Sequence, residues 1–339
     1  MINRVLSWIG KTLLGVVCLL FAAILVAVGF QYWMVASFER HPPLGELVDV
    51  GDHRLHIHCS GTGPQTVILE AGGGSWSADW NLVQSQVEAF TKVCSYDRAG
   101  FGWSERGSEP RTINRLVSEL HMLLENAELN GPYIMVGASF GGSIVQLFEK
   151  NHPELVSALV LVDGRSKEFS SRFKAIAPAA AQSSAEQAQD IAGLDDLRLL
   201  SATLFALGTR QTPPEEMPSE LRQLYAHLGR LTKNLATGAK ENIVDLVSDQ
   251  QMQGVGFIGE KPLVVISHGQ KNMFNGLPEA QSRRAESLWI ETQGRLAEMS
   301  TNSRSVVAEQ SGHDIQYEQP NLIARQIEYL VAELESSRP

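Results

Sequence analysis

Tyr133-Ile134-Met135-Val136-Gly137-Ala138-Ser139-Phe140-Gly141-Gly142 is the stretch whose reading decides the fold. It opens as an apolar run with β-branched residues, the composition of a buried strand. Gly-x-Ser-x-Gly follows directly, and Ser143 to Lys150 then has the pattern of a helix that ends at Asn151-His152-Pro153. The pentapeptide alone is weak, because Gly and Ser also populate ordinary turns. Strand before and helix after turn it into a nucleophile elbow, with Ser139 on a strained turn and Gly137 and Gly141 small enough to let strand and helix approach.

Working outward, Leu47–Val50 and Arg54–Cys59 read as a hairpin across Gly51-Asp52, and Gln65–Ala71 as a third strand. That strand ends in Gly72-Gly73-Gly74, a run that lets backbone N–H groups approach a ligand. Trp80–Phe90 suits a helix, Lys92–Tyr96 a fourth strand, and Ile113–Leu129 a helix with Leu116, Leu120, Leu123 and Leu124 on one face. Beyond the elbow, Ala158–Val162 is a strand ending in Asp163. Pro262–Ser267 and Arg304–Ala308 are further strands, with helices expected over Ala280–Glu298 and Pro320–Leu334. Alternating apolar strands and helices imply a mostly parallel sheet covered on both faces.

Between about 165 and 259 no strand is evident. Asp195–Leu207 and Ser219–Leu235 suit amphipathic helices, broken by Thr212-Pro213-Pro214. This is either an inserted helical cap or a second helical domain; since strands resume afterwards, insertion is the simpler reading. The expected organisation is an anchor over 1–38, a linker over 39–46, core over 47–164, cap over 165–259 and core again over 260–339.

The anchor is read from Leu13 to Ala36, which carry no charge; about 24 residues span roughly 36 Å, enough for a bilayer. Arg4 and Lys11 precede it, which predicts a cytoplasmic N-terminus and an extracytoplasmic catalytic domain. A cleaved signal peptide is the competing reading. The rest of the chain is ordinary globular composition, 43% hydrophobic and 19% charged, and the formal charge of −10 argues against a nucleic-acid partner. No phosphate loop, dinucleotide fingerprint or paired Cys-x-x-Cys is present. His56 and His58 flank Ile57 on a strand, where alternation explains them better than a metal does. Cys59 and Cys94 fall on two predicted strands, and an extracytoplasmic location permits a disulfide that sequence alone leaves open.

A serine hydroxyl needs a base to take its proton, and the base needs a third group to fix its tautomer. Ser139, Asp163 and His313 each follow a predicted parallel strand, where reactive groups collect in such sheets. With these residues in hand, the chain from about 46 to 337 resembles the α/β-hydrolase superfamily. The resemblance is carried by Leu69-Glu70-Ala71-Gly72-Gly73, by Tyr96-Asp97-Arg98-Ala99-Gly100-Phe101-Gly102-Trp103-Ser104, by Val136–Gly142, and by Ser311-Gly312-His313 with Glu318 and Pro320 beyond it. It implies an eight-stranded sheet in the order 1-2-4-3-5-6-7-8 with a cap after strand six. Strands two and four are then antiparallel neighbours, which brings Cys59 and Cys94 within bridging range.

The resemblance also implies an acyl-enzyme mechanism on a small-molecule acyl substrate, without cofactor or metal. Ser139 is the nucleophile and His313 the base, and the backbone N–H groups of Gly73 (with Gly74 the neighbouring choice) and Phe140 form the oxyanion hole. Two departures matter. Ala71-Gly72 stands where many members have His-Gly. The loop after strand seven, His268 to Asn275, holds no carboxylate, although the acid commonly sits there. Asp163 after strand six is the first candidate acid, Glu279 the alternative, and a purely structural Asp163 the third reading. Asp97 and Arg98 are expected to fix the loop after strand four, and Trp76 and Trp103 to pack or line the cleft; for His268 a place outside the site is the default, and reach into it from its loop end the lesser reading. A serine nucleophile excludes the aspartate-nucleophile dehalogenases and epoxide hydrolases of this fold. An acyltransferase, an amide, thioester or lactone hydrolase, and a catalytically silent binding protein are the alternatives.

Overall fold

In the computed structural model, residues 2–38, 44–196, 217, 219, 222, 225 and 232–337 are described. Eight strands form one sheet in the order β1-β2-β4-β3-β5-β6-β7-β8. They are β1 (Glu46–Asp49), β2 (Arg54–Ser60), β3 (Thr66–Glu70), β4 (Lys92–Tyr96), β5 (Tyr133–Ala138), β6 (Val156–Val162), β7 (Leu263–His268) and β8 (Ser303–Ala308). The β1–β2 and β2–β4 pairs are antiparallel and the rest parallel. This is the α/β-hydrolase sheet that the motifs imply.

The helices are α1 (Ile2–Phe38), α2 (Asn81–Val87), α3 (Ile113–Asn126), α4 (Phe140–Asn151), α5 (Phe169–Ile176), α6 (Pro178–Asp196), α7 (Thr232–Ile243), α8 (Asp245–Gln251), α9 (Glu279–Ala297), α10 (Ile315–Glu318) and α11 (Pro320–Ser336). The central strands are apolar on both faces because both are covered. Ile68, Met135 and Leu159 pack on one side with Leu116 and Leu120 of α3 and Phe148 of α4. Val67, Val136 and Val160 pack on the other with Val83 of α2 and Ile327 and Leu330 of α11. The strand ends that carry the candidate chemistry therefore rest on a core sealed from both sides.

Helices α5 to α8 lie between β6 and β7. The helix expected over Asp195–Leu207, the break at Thr212-Pro213-Pro214 and most of the helix expected over Ser219–Leu235 lie outside the described residues. In α7 a row of small residues replaces a large apolar face. A Cβ on Gly238 would stand 3.6 Å from the Gly74 Cα, and one on Gly100 would stand 2.1 Å from Thr237 Oγ1. The cap thus seats directly on the loops after β3 and β4. α1 contains Ser7–Phe30, 24 residues with a mean hydropathy of 2.9 and none of the window buried, a candidate membrane span that starts six residues before the expected one.

Cys59 and Cys94 are register partners on β2 and β4 and form a disulfide, with 4.0 Å between their Cα atoms. Its 35-residue separation predicts a chain-entropy contribution of about 3–4 kcal/mol. A Cys59→Ser/Cys94→Ser double variant is expected to lose up to that amount of unfolding free energy in urea titrations, and reductant should weaken the wild type but leave the variant unmoved.

Candidate active site

Three non-glycine residues among those described have positive φ, and two of them are Ser139 (49°) and Asp163 (44°). Such backbone costs about 1–3 kcal/mol and persists only where the surroundings enforce it. At Ser139 the enforcement is visible. A Cβ on Gly137 would meet the Gly141 oxygen at 2.4 Å, and one on Gly141 would meet the Glu70 and Ala71 oxygens at 2.6 Å. The Ser139 N–H donates to the Val162 carbonyl at 3.0 Å, and its carbonyl accepts from Arg165 N at 2.8 Å. The elbow is thereby tied to the end of β6, the strand that delivers Asp163.

Phe140 is the first residue of α4, so its N–H is among those without an intrahelical acceptor, at the positive end of the helix dipole. The glycine loop lies against it. A Cβ on Gly72 would stand 3.6 Å from Ser139 Cβ, and one on Gly73 the same distance from Phe140 Cβ. The structure therefore places the glycine loop alongside Ser139 and Phe140.

Asp163 is fully buried, and four donors meet its carboxylate. His313 Nδ1 lies 2.6 Å and His268 Nδ1 2.7 Å from Oδ2. Trp289 Nε1 donates to Oδ1 at 2.9 Å and the His268 N–H at 3.2 Å. Burial alone would raise the Asp163 carboxyl, but the hydrogen bonds and charge of His268 and His313 outweigh it and hold it below the usual range. The Trp289 ring also meets His313 edge-on, with 5.4 Å between centroids. Ser139 and His313 are not hydrogen-bonded to each other among the described residues, a contact that commonly tightens only when substrate binds. Glu279 stands apart at the start of α9, its side chain 84% exposed and paired with Arg283 one turn on.

The loop that carries His313 is itself pinned. Glu318 accepts from Gly312 N at 2.6 Å, and Gln319 accepts from Gln310 N at 2.9 Å. Asp163, His268 and His313 offer ligand atoms within 4.8 Å of one another, and the two imidazoles are directed at the shared carboxylate as hydrogen-bond donors.

Asp97 fixes its loop locally, accepting from Ser77 N and Trp103 N at 2.8 and 2.9 Å. Arg98 does something the sequence did not suggest. Its guanidinium donates to the Ala71 and Gly72 carbonyls, both at 2.8 Å, to Glu70 at 2.7 Å, and to Glu241 of α7 at 3.0 and 3.1 Å. One buried cation thus holds both the glycine loop and the cap. Complete burial pushes Glu70 up to about 6 despite Arg98 beside it. Trp76 is buried and stacks on Tyr225 at 4.7 Å between centroids, a packing role.

Comparison with known proteins agrees with this architecture. The family model described as alpha/beta hydrolase fold matches residues 66–320. The uncharacterized protein YqjL of Bacillus subtilis (strain 168) is 23% identical over 266 residues, covering 78% of this chain and 83% of that one. The 2-hydroxymuconate semialdehyde hydrolase of Pseudomonas sp. (strain CF600) is 32% identical over 140 residues, 39% of this chain and 47% of the enzyme. Several other curated relatives are matched over less than a third of their length. Among solved structures, a putative lipase (lip1) from Acinetobacter baumannii AYE superposes with a TM-score of 0.61 at 19% identity, covering 86% of this chain and 92% of that one.

One buried carboxyl near the site yields a pH prediction. Asp79 Oδ1 has no hydrogen-bond partner. Burial raises Asp79 from 3.8 to about 6, and the nearby hydroxyls of Ser75, Tyr317 and Tyr225 offset only part of that. Because the folded value lies above the unfolded one, the native state holds the extra proton between about pH 4 and 6, and Asp79 costs stability as pH rises through that window. Asp79→Asn is expected to gain stability relative to wild type at pH 7 but not at pH 4, measured by urea unfolding at both.

Proposed function

We propose a function from one premise: the chain belongs to the α/β-hydrolase fold family. It is a membrane-anchored serine hydrolase that cleaves an ester-type acyl substrate through an acyl-enzyme. The observation that carries this reading is the 2.6 Å contact between the Asp163 carboxylate and His313 Nδ1, with a strained serine at the neighbouring strand end. Asp163 holds His313 in the tautomer that carries its proton on Nδ1 and leaves Nε2 free as a base. His313 takes the Ser139 proton as Oγ attacks the acyl carbonyl. The Gly73 and Phe140 N–H groups receive the oxyanion, and the dipole of α4 reinforces them. His313 then protonates the leaving alcohol and activates the water that releases the acid, restoring Ser139.

A serine at the elbow supports acyl transfer over epoxide opening by a carboxylate nucleophile. The exposure of Glu279 and its pairing with Arg283 favour Asp163 as the acid. A cavity between α6 and α7, bordered by Gly74, Ala188, Ile191 and Gly238, adjoins the glycine loop and supports entry of a small acyl substrate beneath the cap. The apolar length of α1 supports anchoring, with Arg4 and Lys11 on the cytoplasmic side and the catalytic domain outside. The Cys59–Cys94 bond supports that orientation, since disulfides persist outside the reducing cytosol.

A fluorophosphonate probe is expected to label wild-type protein at Ser139; an intact protein that never labels there rules out the proposed activity. Asp163→Asn should lower kcat on p-nitrophenyl esters by roughly 10³–10⁴-fold, the scale seen when a triad imidazole loses its orienting acid. Glu279→Gln should stay within about twofold of wild type, as exposed polar changes usually do. Full activity in Asp163→Asn would sink the assignment of the acid. Protease added to the cytoplasmic side of sealed vesicles should leave the catalytic domain intact.

A further inference from the structure

His268 ends β7, at the strand end where the acid of this fold commonly stands, and it is as buried as Asp163. Both of its ring nitrogens face carboxylates. Nδ1 is 2.7 Å from Asp163 Oδ2 and Nε2 is 3.2 Å from Glu286 Oε2. A neutral imidazole has one N–H, so its other nitrogen would turn a lone pair toward a carboxylate oxygen. Only the doubly protonated ring donates at both ends. Glu286 sits on α9, with its other oxygen accepting from Phe274 N at 3.3 Å. The charged and titratable groups facing this ring are Asp163 from β6 and Glu286 from α9, with His313 across the shared oxygen.

We propose that His268 is a positioning residue: a buried imidazolium, held by Glu286, that keeps the Asp163 carboxylate in the rotamer His313 requires. This rests on the reading of Asp163 and His313 as acid and base. Two carboxylates and one imidazolium leave a single net negative charge to stabilise the His313 imidazolium as it forms. Removal of His268 leaves Asp163 and Glu286 as two like charges in a low-dielectric site, free to turn apart. Asp163 then keeps its charge but loses its aim, which lowers turnover and leaves ground-state binding alone.

Proton NMR of the full-length protein in detergent, with histidine labelled by nitrogen-15, tests this directly. Short charge-assisted hydrogen bonds deshield the shared proton. Two downfield Nδ1–H resonances are expected, from His313 and His268. Both should vanish in Asp163→Asn, and Glu286→Gln should displace the His268 signal while sparing the other. His268→Leu is expected to lower kcat by roughly 10- to 100-fold, the scale of partners that orient metal-bound histidines, with KM within about twofold. His268→Asn, whose amide replaces the Nδ1 donor, should recover most of that loss. A single downfield resonance in the wild type, or a Glu286→Gln variant with both signals unmoved, overturns the proposal even where His268→Leu does not fold. Unchanged kcat in a folded His268→Leu overturns it too. If Ser139 never labels while both resonances are present, the proposed hydrolase activity falls and the placement of His268 stands.

Discussion

A charged carboxylate with no exposed surface is the constraint around which the candidate site is organised. Left unpaired in the interior, an ionised aspartate costs several kcal/mol or takes up a proton. Asp163 does neither, because His313, His268, Trp289 and a backbone N–H converge on it. Those donors come from the loop after β8, from β7 and from α9. Satisfying one side chain therefore adds a common polar anchor to three elements that the sheet ladder and their own packing already bring together. The positive φ at Asp163 belongs to the same arrangement. An aspartate tolerates that region better than most residues, and the turn aims its carboxylate across the strand ends instead of along β6.

The other half of the site depends on a buried cation. Arg98 has little freedom of position, since its planar fork is engaged by Glu70, by two carbonyls of the glycine loop and by Glu241 of the cap. Orienting the Ala71 and Gly72 carbonyls toward Arg98 constrains the peptide that presents the Gly73 N–H. The same guanidinium binds α7, so cap seating and loop geometry are not independent. Removal of Arg98 would leave two buried carboxylates unpaired, which is more disruptive than the loss of any one of its hydrogen bonds. At this junction α7 packs through small residues instead of a large apolar face: a Cβ on Gly100 would stand 2.1 Å from Thr237 Oγ1, and one on Gly238 would reach van der Waals contact with Gly74.

That contrast marks what was legible in the sequence. The strands of the sheet declare themselves, because β-branched runs bounded by turns have few other uses, and the order implied by the family motifs is the order observed. Ser139 was legible as a candidate for a related reason: the residues around it are demanded by local backbone geometry, as the close approaches at Gly137 and Gly141 make plain. α7 and α8 were not legible, since they pack through Thr237, Gly238 and ion pairs such as Arg165 with Asp249 instead of a periodic apolar face. Arg98 and Glu241 are 143 residues apart, and no local pattern encodes that pairing. Nor could composition separate Asp163 from Glu279. One follows β6 and the other opens the helix after β7, and only the third dimension buries one and exposes the other.

The position of the candidate acid follows from the geometry of parallel neighbours. Val162 pairs with Ile266, and Asp163 N donates to the Ile266 carbonyl at 2.6 Å, so the two strands end side by side. Adjacent strands lie about 4.8 Å apart, less than the reach of one side chain across to the next. A carboxylate leaving either strand end can therefore meet an imidazole arriving after β8. In this chain the carboxylate leaves β6, and the end of β7 is taken by a histidine that points at the same oxygen. The two strand ends thus meet at one oxygen, with the proposed acid leaving β6 and its proposed positioning residue ending β7. On the far side of that ring, His268 Nε2 meets a second carboxylate, Glu286, at 3.2 Å. Glu286 is buried on the inner side of α9, and the imidazole between it and Asp163 gives each of the two buried carboxylates a polar partner.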